Sequence, residues 1–295
     1  MIRLYIRIVG VAINALEQVF FWPPVGKFLK STIMAKHLDP NPLVIVDVGV
    51  NRGQSTILFL KWFPKAKIYG FEPLPGAFII AKRKLSERAQ LYNLGVSSMS
   101  GVRTFWQAKL DETSTFKQPN LESNYHKMKS KVLLSSTDTM YTALTVNTIT
   151  LCDFTSKEKI DRIDLLKVDT EGHELEVLKG ATTLLKQKQI DLIQIERQET
   201  GLRSTKAALD LPEYDRYAIH LSRISAQQTH DAATMFATKT REQRISLGYM
   251  HPGRVDVIAA GSLVLSEIMK ATGATEFVAS ESDILDGMAF SLARN

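Results

Sequence analysis

The sequence predicts an α/β fold built on a parallel sheet, on three observations. An unbroken apolar run, Leu43 to Val46, reads as a strand buried on both faces; Asp47, the turn Gly49-Val50-Asn51-Arg52-Gly53 and helical spacing from Gln54 to Phe63 follow it. A second strand, Lys67 to Phe71, ends at Glu72, about twenty residues past the glycines, where an acid is placed to accept hydrogen bonds from ribose hydroxyls. A third, Ile163 to Val168, ends in Asp169-Thr170-Glu171-Gly172-His173-Glu174. Three strands ending in polar residues describe a cleft along one sheet edge, where open α/β folds bind ligands.

Each strand–helix step has its own signals. Gly49 and Gly53 allow backbone angles or close approaches that a Cβ forbids, and the turn leads into a helix N-terminus suited to a nucleotide-like ligand. The spacing Gly-x-Asn-x-Gly is not the dinucleotide pattern Gly-x-Gly-x-x-Gly. Pro73 and Pro75 stop the second strand, and a helix is expected over 76–88. Gln90 to Val96 reads as another strand. Residues 97–145 are polar and irregular, too long for a simple connection, so they are expected to contain strands or to cover the cleft. A helix near 155–161, the strand at 163–168, a helix over 174–188 and a buried strand over 190–196 complete this half.

Composition bounds the rest. A chain of 295 residues, 44% hydrophobic and 23% charged, is long enough for one large or two small domains of a globular protein. The single cysteine, Cys152, excludes an internal disulfide framework and a cysteine zinc site, and fits a reducing, cytoplasmic compartment. The net charge of +6 divides into +7 over residues 1–199 and −1 over 200–295. A mildly basic first part suits anionic partners, membrane surfaces included; no nucleic-acid partner is indicated. Ile2 to Trp22 is apolar but carries Arg3, Arg7, Asn14, Glu17 and Gln18, which is too polar for a spanning helix. It reads as a helix ending before Pro23, either packed on the domain or making peripheral membrane contact through residues 2–22.

The motifs VIVDVGVNRGQS, YGFEP, Asn93-Leu94-Gly95-Val96 and LLKVDTEGHELEVLKGA, in that order, resemble the FkbM-type S-adenosylmethionine-dependent methyltransferases over about 42–196. The resemblance implies a Rossmann-like class I methyltransferase sheet, S-adenosylmethionine as cofactor, and a small-molecule or glycan hydroxyl as acceptor. Val50 and Thr170 depart from the residues usual in that family, and neither change removes a polar contact. The resemblance implies that Asp47, Gly49, Asn51, Gly53 and Glu72 bind the cofactor. Asp47 would anchor the turn and the cofactor amino group, or only form a turn-stabilising hydrogen bond. Asn51 would cap the following helix or meet the cofactor carboxylate. Asp169, Glu171 and His173 are the candidate catalytic residues. Asp169 faces acceptor and cofactor in this reading, and His173 is either a base for the hydroxyl proton or an exposed residue beginning a helix. Three such side chains within five positions rarely all converge, so no metal is expected.

After Glu199 the text changes character. IHLSRISAQQ, HPGRVDVIAAG and SESDILDGMA resemble the carboxyl-terminal part of the exopolyphosphatase/guanosine pentaphosphate phosphatase (Ppx/GppA) family over about 202–293. That family's phosphate-cradling glycine loops have no counterpart here, neither Asp-x-Gly-Ser nor Gly-Gly-Gly-Ser. The expected organisation is an N-terminal helical segment (1–41), an S-adenosylmethionine-binding domain (42–199) truncated after its fifth strand, and a mostly helical α/β tail (200–295) lacking its catalytic half. The junction reads as a natural fusion or a joined gene model. Three functions follow: an O-methyltransferase of a sugar or polyketide hydroxyl, a Ppx/GppA-type phosphatase, or an inactive hybrid. The tail's apolar stripe (Val255, Ile258, Ala259, Ser262, Leu265, Ile268, Met269) is expected to close a small satellite core of its own.

Overall fold

A computed structural model describes residues 43–108, 114–119, 140–195, 206–211, 216–219, 222–247, 255 and 258–279. The expected helix over residues 2–22 lies outside them. Strands β1 (Val44–Val48), β2 (Lys67–Phe71), β3 (Gln90–Tyr92), β7 (Leu165–Val168) and β8 (Ile193–Ile195) form one sheet in the order β3-β2-β1-β7-β8. Every neighbouring pair in it is parallel. The predicted α/β class with a parallel sheet is therefore what is found. Both faces are covered. Val46, Val48, Phe71, Leu166 and Val168 face one core, while Ile45, Ile68 and Leu165 face another. This alternation along strands that are buried throughout is why the runs read as continuously apolar.

Helices α1 (Gln54–Trp62) and α2 (Pro75–Leu85) fill the second face with Phe59, Leu60, Ala81 and Leu85. Helix α3 (Leu151–Glu158) begins four residues earlier than the pattern suggested, capped by Thr150, whose hydroxyl accepts the Asp153 N–H at 2.9 Å. The continuous helix expected over 174–188 is two, α4 (Glu174–Lys179) and α5 (Thr182–Lys186). They part at Gly180, where a Cβ would lie 2.1 Å from the Ser97 carbonyl oxygen, so the backbone of Ser97 occupies the space a side chain would need.

The strand expected over 90–96 is likewise divided. Asn93 Nδ2 donates to the carbonyls of Glu72 and Pro73 at 2.8 and 3.1 Å and pins the chain there. Gln90–Tyr92 stays in the main sheet, whereas β4 (Gly95–Val96) pairs with β6 (Tyr141–Ile149), itself antiparallel to β5 (Gly101–Ala108). The irregular stretch thus holds a second, three-stranded sheet. An antiparallel bridge between Trp106 and Thr115 carries 114–117 back along it.

In the tail, α6 (Arg216–Ile219) precedes β9 (Arg223–Ser225), which pairs antiparallel with β10 (Glu276–Val278). Capping boxes at Ser225 and Thr240 begin α7 (Ala226–Thr238) and α8 (Arg241–Ile245). Helix α9 (Ile258–Thr272) buries Ile258, Ser262, Ser266, Ile268 and Met269. The satellite expectation fails here. Alpha-helix α9 packs on α7 and also on α4 and α5, and Ile268 belongs to the same core cluster as Val177, Leu178, Leu184 and Leu185. The stripe finds its partner in the helical layer over the sheet.

Candidate functional site

The strand registers set the site. Val48 pairs with both Phe71 and Val168, so the three residues lie in one row, and Gly49, Glu72 and Asp169 leave the sheet side by side. The β1/β7 boundary is where connections run off in opposite directions, the switch point at which open α/β sheets bind ligands.

The turn after β1 is built by its backbone. Gly49 and Val50 both donate to the Phe71 carbonyl at 3.0 Å. Gly49 has φ +85°, and a Cβ there would fall 1.8 Å from the Asp169 carbonyl oxygen, so no other residue fits between β1 and β7. Gly53, at φ +90°, is the N-cap of α1, whose first turn receives no side-chain cap. Asn51 is left-handed at φ +50°, a conformation that asparagine tolerates. Its backbone N–H donates to Glu72 Oε2 at 2.8 Å, and its side-chain Oδ1 is buried with no hydrogen-bond partner. Glu72, 7% exposed, accepts from the Leu74 N–H through Oε1 at 2.8 Å. Its carboxylate is thus fixed by two backbone amides from different turns.

Asp47 is fully buried. Its Oδ2 accepts from the hydroxyls of Ser55 and Thr56, both at 2.7 Å, and ties the start of α1 to the end of β1. Its Oδ1 faces the Lys167 ammonium at 3.5 Å. Of the two roles expected for Asp47, these contacts describe the anchoring of the turn. Lys167 sits in the middle of a wholly buried strand and also reaches Asp169 Oδ2 at 3.0 Å and the Gly49 carbonyl at 3.3 Å. Nothing in the strand-end motifs singled it out. The available signal was one lysine inside an otherwise apolar four-residue strand, two residues before the motif acid.

The loop after β7 is organised by Glu174, whose Oε1 accepts from the N–H groups of Thr170 and Gly172 and from the Thr170 hydroxyl at 2.9–3.2 Å. Asp169 keeps a partly exposed carboxylate at the sheet edge. Glu171, left-handed at φ +51°, offers its carbonyl to the Thr115 hydroxyl at 2.9 Å, so the 114–117 segment lies against this loop. His173 begins a helix, as one of its expected roles had it, but is buried rather than exposed. It is the N-cap of α4 but is only 5% exposed, with Nε2 3.0 Å from Ser97 Oγ and its ring 4.5 Å from that of Phe116. Burial holds its pKa down to about 4, Arg103 and Lys117 adding to the effect and Glu176 opposing it. A neutral, covered imidazole of that acidity is a poor proton acceptor. Among the described residues no group of three His, Cys, Asp or Glu side chains could hold a metal ion.

A doubly covered parallel sheet with an anchored acid and a glycine turn at its switch point is the architecture of an open α/β domain, whose ligand cleft lies at the carboxyl ends of the strands. The chain belongs to the FkbM methyltransferase family: the methyltransferase FkbM domain matches residues 47–218. It is similar to the 2-O-methyltransferase NoeI of Sinorhizobium fredii, 27% identical over 184 residues, which cover 61% of this chain and 74% of that protein. The hexuronic acid methyltransferase AglP of Haloferax volcanii is 27% identical over 159 residues, covering 52% and 55%. The carboxyl-terminal region is similar to Exopolyphosphatase 2 of Mycobacterium tuberculosis, 37% identical over 110 residues. This chain spans about a third of that protein's length, the match covering 34% of each.

Proposed function

We propose that this methyltransferase moves the methyl group of S-adenosylmethionine to a hydroxyl oxygen of a sugar or polyketide acceptor. The observation that carries this reading is the shared row at the sheet edge. It brings Glu72, held by two amides, beside the Gly49–Gly53 turn, where Asn51 Oδ1 is a buried acceptor without a donor. An anchored acid there suits ribose hydroxyls, and an orphan amide oxygen suits the amino group of an amino acid-like cofactor. The group fits the residues present: Gly49, Asn51, Gly53 and Glu72 would hold it, with Asp47 bracing the turn from beneath. When bound, it supplies an electrophilic methyl on a sulfonium sulfur.

The chain's own residues then orient the acceptor and receive its proton. The hydroxyl O–H bond must break as the new C–O bond forms, and Asp169 is the partly exposed carboxylate at the sheet edge able to accept that hydrogen. Glu171 stands beside it on the loop and is assigned to acceptor contact. His173 is left out of the chemistry and holds the covering segment instead. Residues 42–199 act as the cofactor-binding domain in this reading. The tail carries no phosphatase chemistry, because it lacks the loops that would cradle phosphate.

Isothermal titration of the full chain with S-adenosylmethionine and with S-adenosylhomocysteine tests the cofactor, and methyl release onto a panel of sugar and polyketide alcohols tests the acceptor class. Saturable binding of both ligands is expected. No measurable binding at millimolar concentration overturns the reading.

A further inference from the structure

Lys167 is unused in the chemistry above, yet it is buried at the cleft among charged and polar partners. It is 3% exposed, and its ammonium lies 3.0 Å from Asp169 Oδ2, 3.3 Å from the Gly49 carbonyl oxygen and 3.5 Å from Asp47 Oδ1. These three groups belong to both sides of the switch point: Asp47 lies in β1, Gly49 in the turn after it, and Asp169 directly after β7. A cation buried in a parallel sheet is costly unless paired, and here one ammonium answers two carboxylates. Lys167 offsets part of the negative charge that Asp47 and Asp169 bring to the sheet edge.

We propose that Lys167 is a positioning residue of the cofactor cleft, tying the β1 turn to Asp169 and setting how strongly the cleft prefers the sulfonium cofactor over its thioether product. The inference rests on the cofactor assigned above. S-adenosylmethionine and S-adenosylhomocysteine differ in charge by the one positive charge on sulfur. A charge added to or removed from the cleft wall therefore shifts their relative affinity in a fixed direction. A lysine that merely filled space would, on removal, weaken both ligands alike.

The test is titration calorimetry of the full chain with each ligand, in the wild type and in Lys167→Gln, Lys167→Arg and Asp169→Asn. Lys167→Gln removes a positive charge, so the ratio Kd(S-adenosylhomocysteine)/Kd(S-adenosylmethionine) should rise about 3- to 10-fold. Lys167→Arg keeps the charge and should keep the ratio, even as its larger head group lowers both affinities. Asp169→Asn removes a negative charge while leaving the Asp47–Lys167 pair in place, and should lower the ratio. Where Lys167→Gln does not fold, Asp169→Asn and Lys167→Arg still decide the matter. An unchanged ratio in Asp169→Asn, or a ratio in Lys167→Arg that moves as far as any neutral substitution would, overturns the inference. An unchanged ratio in a folded Lys167→Gln does the same. Binding of neither ligand by the wild type removes the cofactor assignment itself, whereas binding of both with no charge dependence removes only the role of Lys167.

Discussion

The backbone N–H of Asn51 donates to Glu72 Oε2 at 2.8 Å, across 21 residues of sequence. One carboxylate thereby joins the two loops that frame the cleft, since its other oxygen holds the Leu74 N–H. Glu72→Ala should weaken S-adenosylmethionine binding by about 1–3 kcal/mol and lower stability by a similar amount, because buried amides lose their acceptor. Calorimetry reads the first effect and urea denaturation the second. A loss of binding with unaltered stability would mean that the carboxylate does not hold the turns together.

Two glycines predict opposite outcomes for the same substitution. Gly49→Ala places a Cβ 1.8 Å from the Asp169 carbonyl oxygen at a positive φ, so it should cost about 3 kcal/mol or more, or prevent folding. Gly76→Ala, in the exposed first turn of α2 with nothing within 4 Å of the new atom, should stabilise by about 0.4–1 kcal/mol. Denaturation midpoints of the two variants check both signs.

His173 makes stability depend on pH. Its folded pKa is about 4 against 6.5 for the ordinary side chain, so between these values the unfolded chain binds the extra proton. The neutral form's contribution is complete above about pH 6.5 and is lost as pH falls toward 4, by about 3 kcal/mol over the whole window. His173→Gln should flatten that part of the profile. Denaturant titrations of both proteins at pH 5 and pH 7 measure it, and equal slopes would contradict the buried, neutral assignment.

Helix α9 should unfold with the sheet. Ile268 packs in the core cluster of α4 and α5, so Ile268→Ala is expected to cost about 2–5 kcal/mol and to shift a single cooperative transition. Amides near Met269 should exchange hydrogen as slowly as those of Val46. A separate early transition for residues 222–279 would restore the satellite picture.

The centre of the main sheet was legible because β1, β2 and β7 are buried on both faces and run into a glycine or an acid, signals that local sequence carries. The cleft's outline was legible for the same reason: Gly49, Glu72 and Asp169 each follow an apolar run. What was not legible depends on contacts far apart in the chain. Lys167 looks like a solvated interruption until β1 and β7 bring Asp47 and Gly49 to its ammonium. His173 looks catalytic in a string of acids until Ser97 and Phe116 enclose it. The helix break at Gly180 is written by the Ser97 carbonyl, and the docking of α9 by side chains on α4 and α5. Nor does the irregular sequence over 97–145 say that 101–108 pairs with 141–149.

The common row of Val48, Phe71 and Val168 also bears on which length changes the chain can absorb. One residue inserted within β2 would carry Glu72 about 3.3 Å along the strand and turn it to the opposite face, while Asn51 stayed behind. The same insertion at the amino end of the strand, in the exposed Pro64–Lys65 turn, would leave the row untouched. Insertions and deletions should therefore be tolerated at the amino edge of the sheet and rejected at its carboxyl edge, an asymmetry that a scanning-insertion library scored for soluble, cofactor-binding protein would display as two distinct margins.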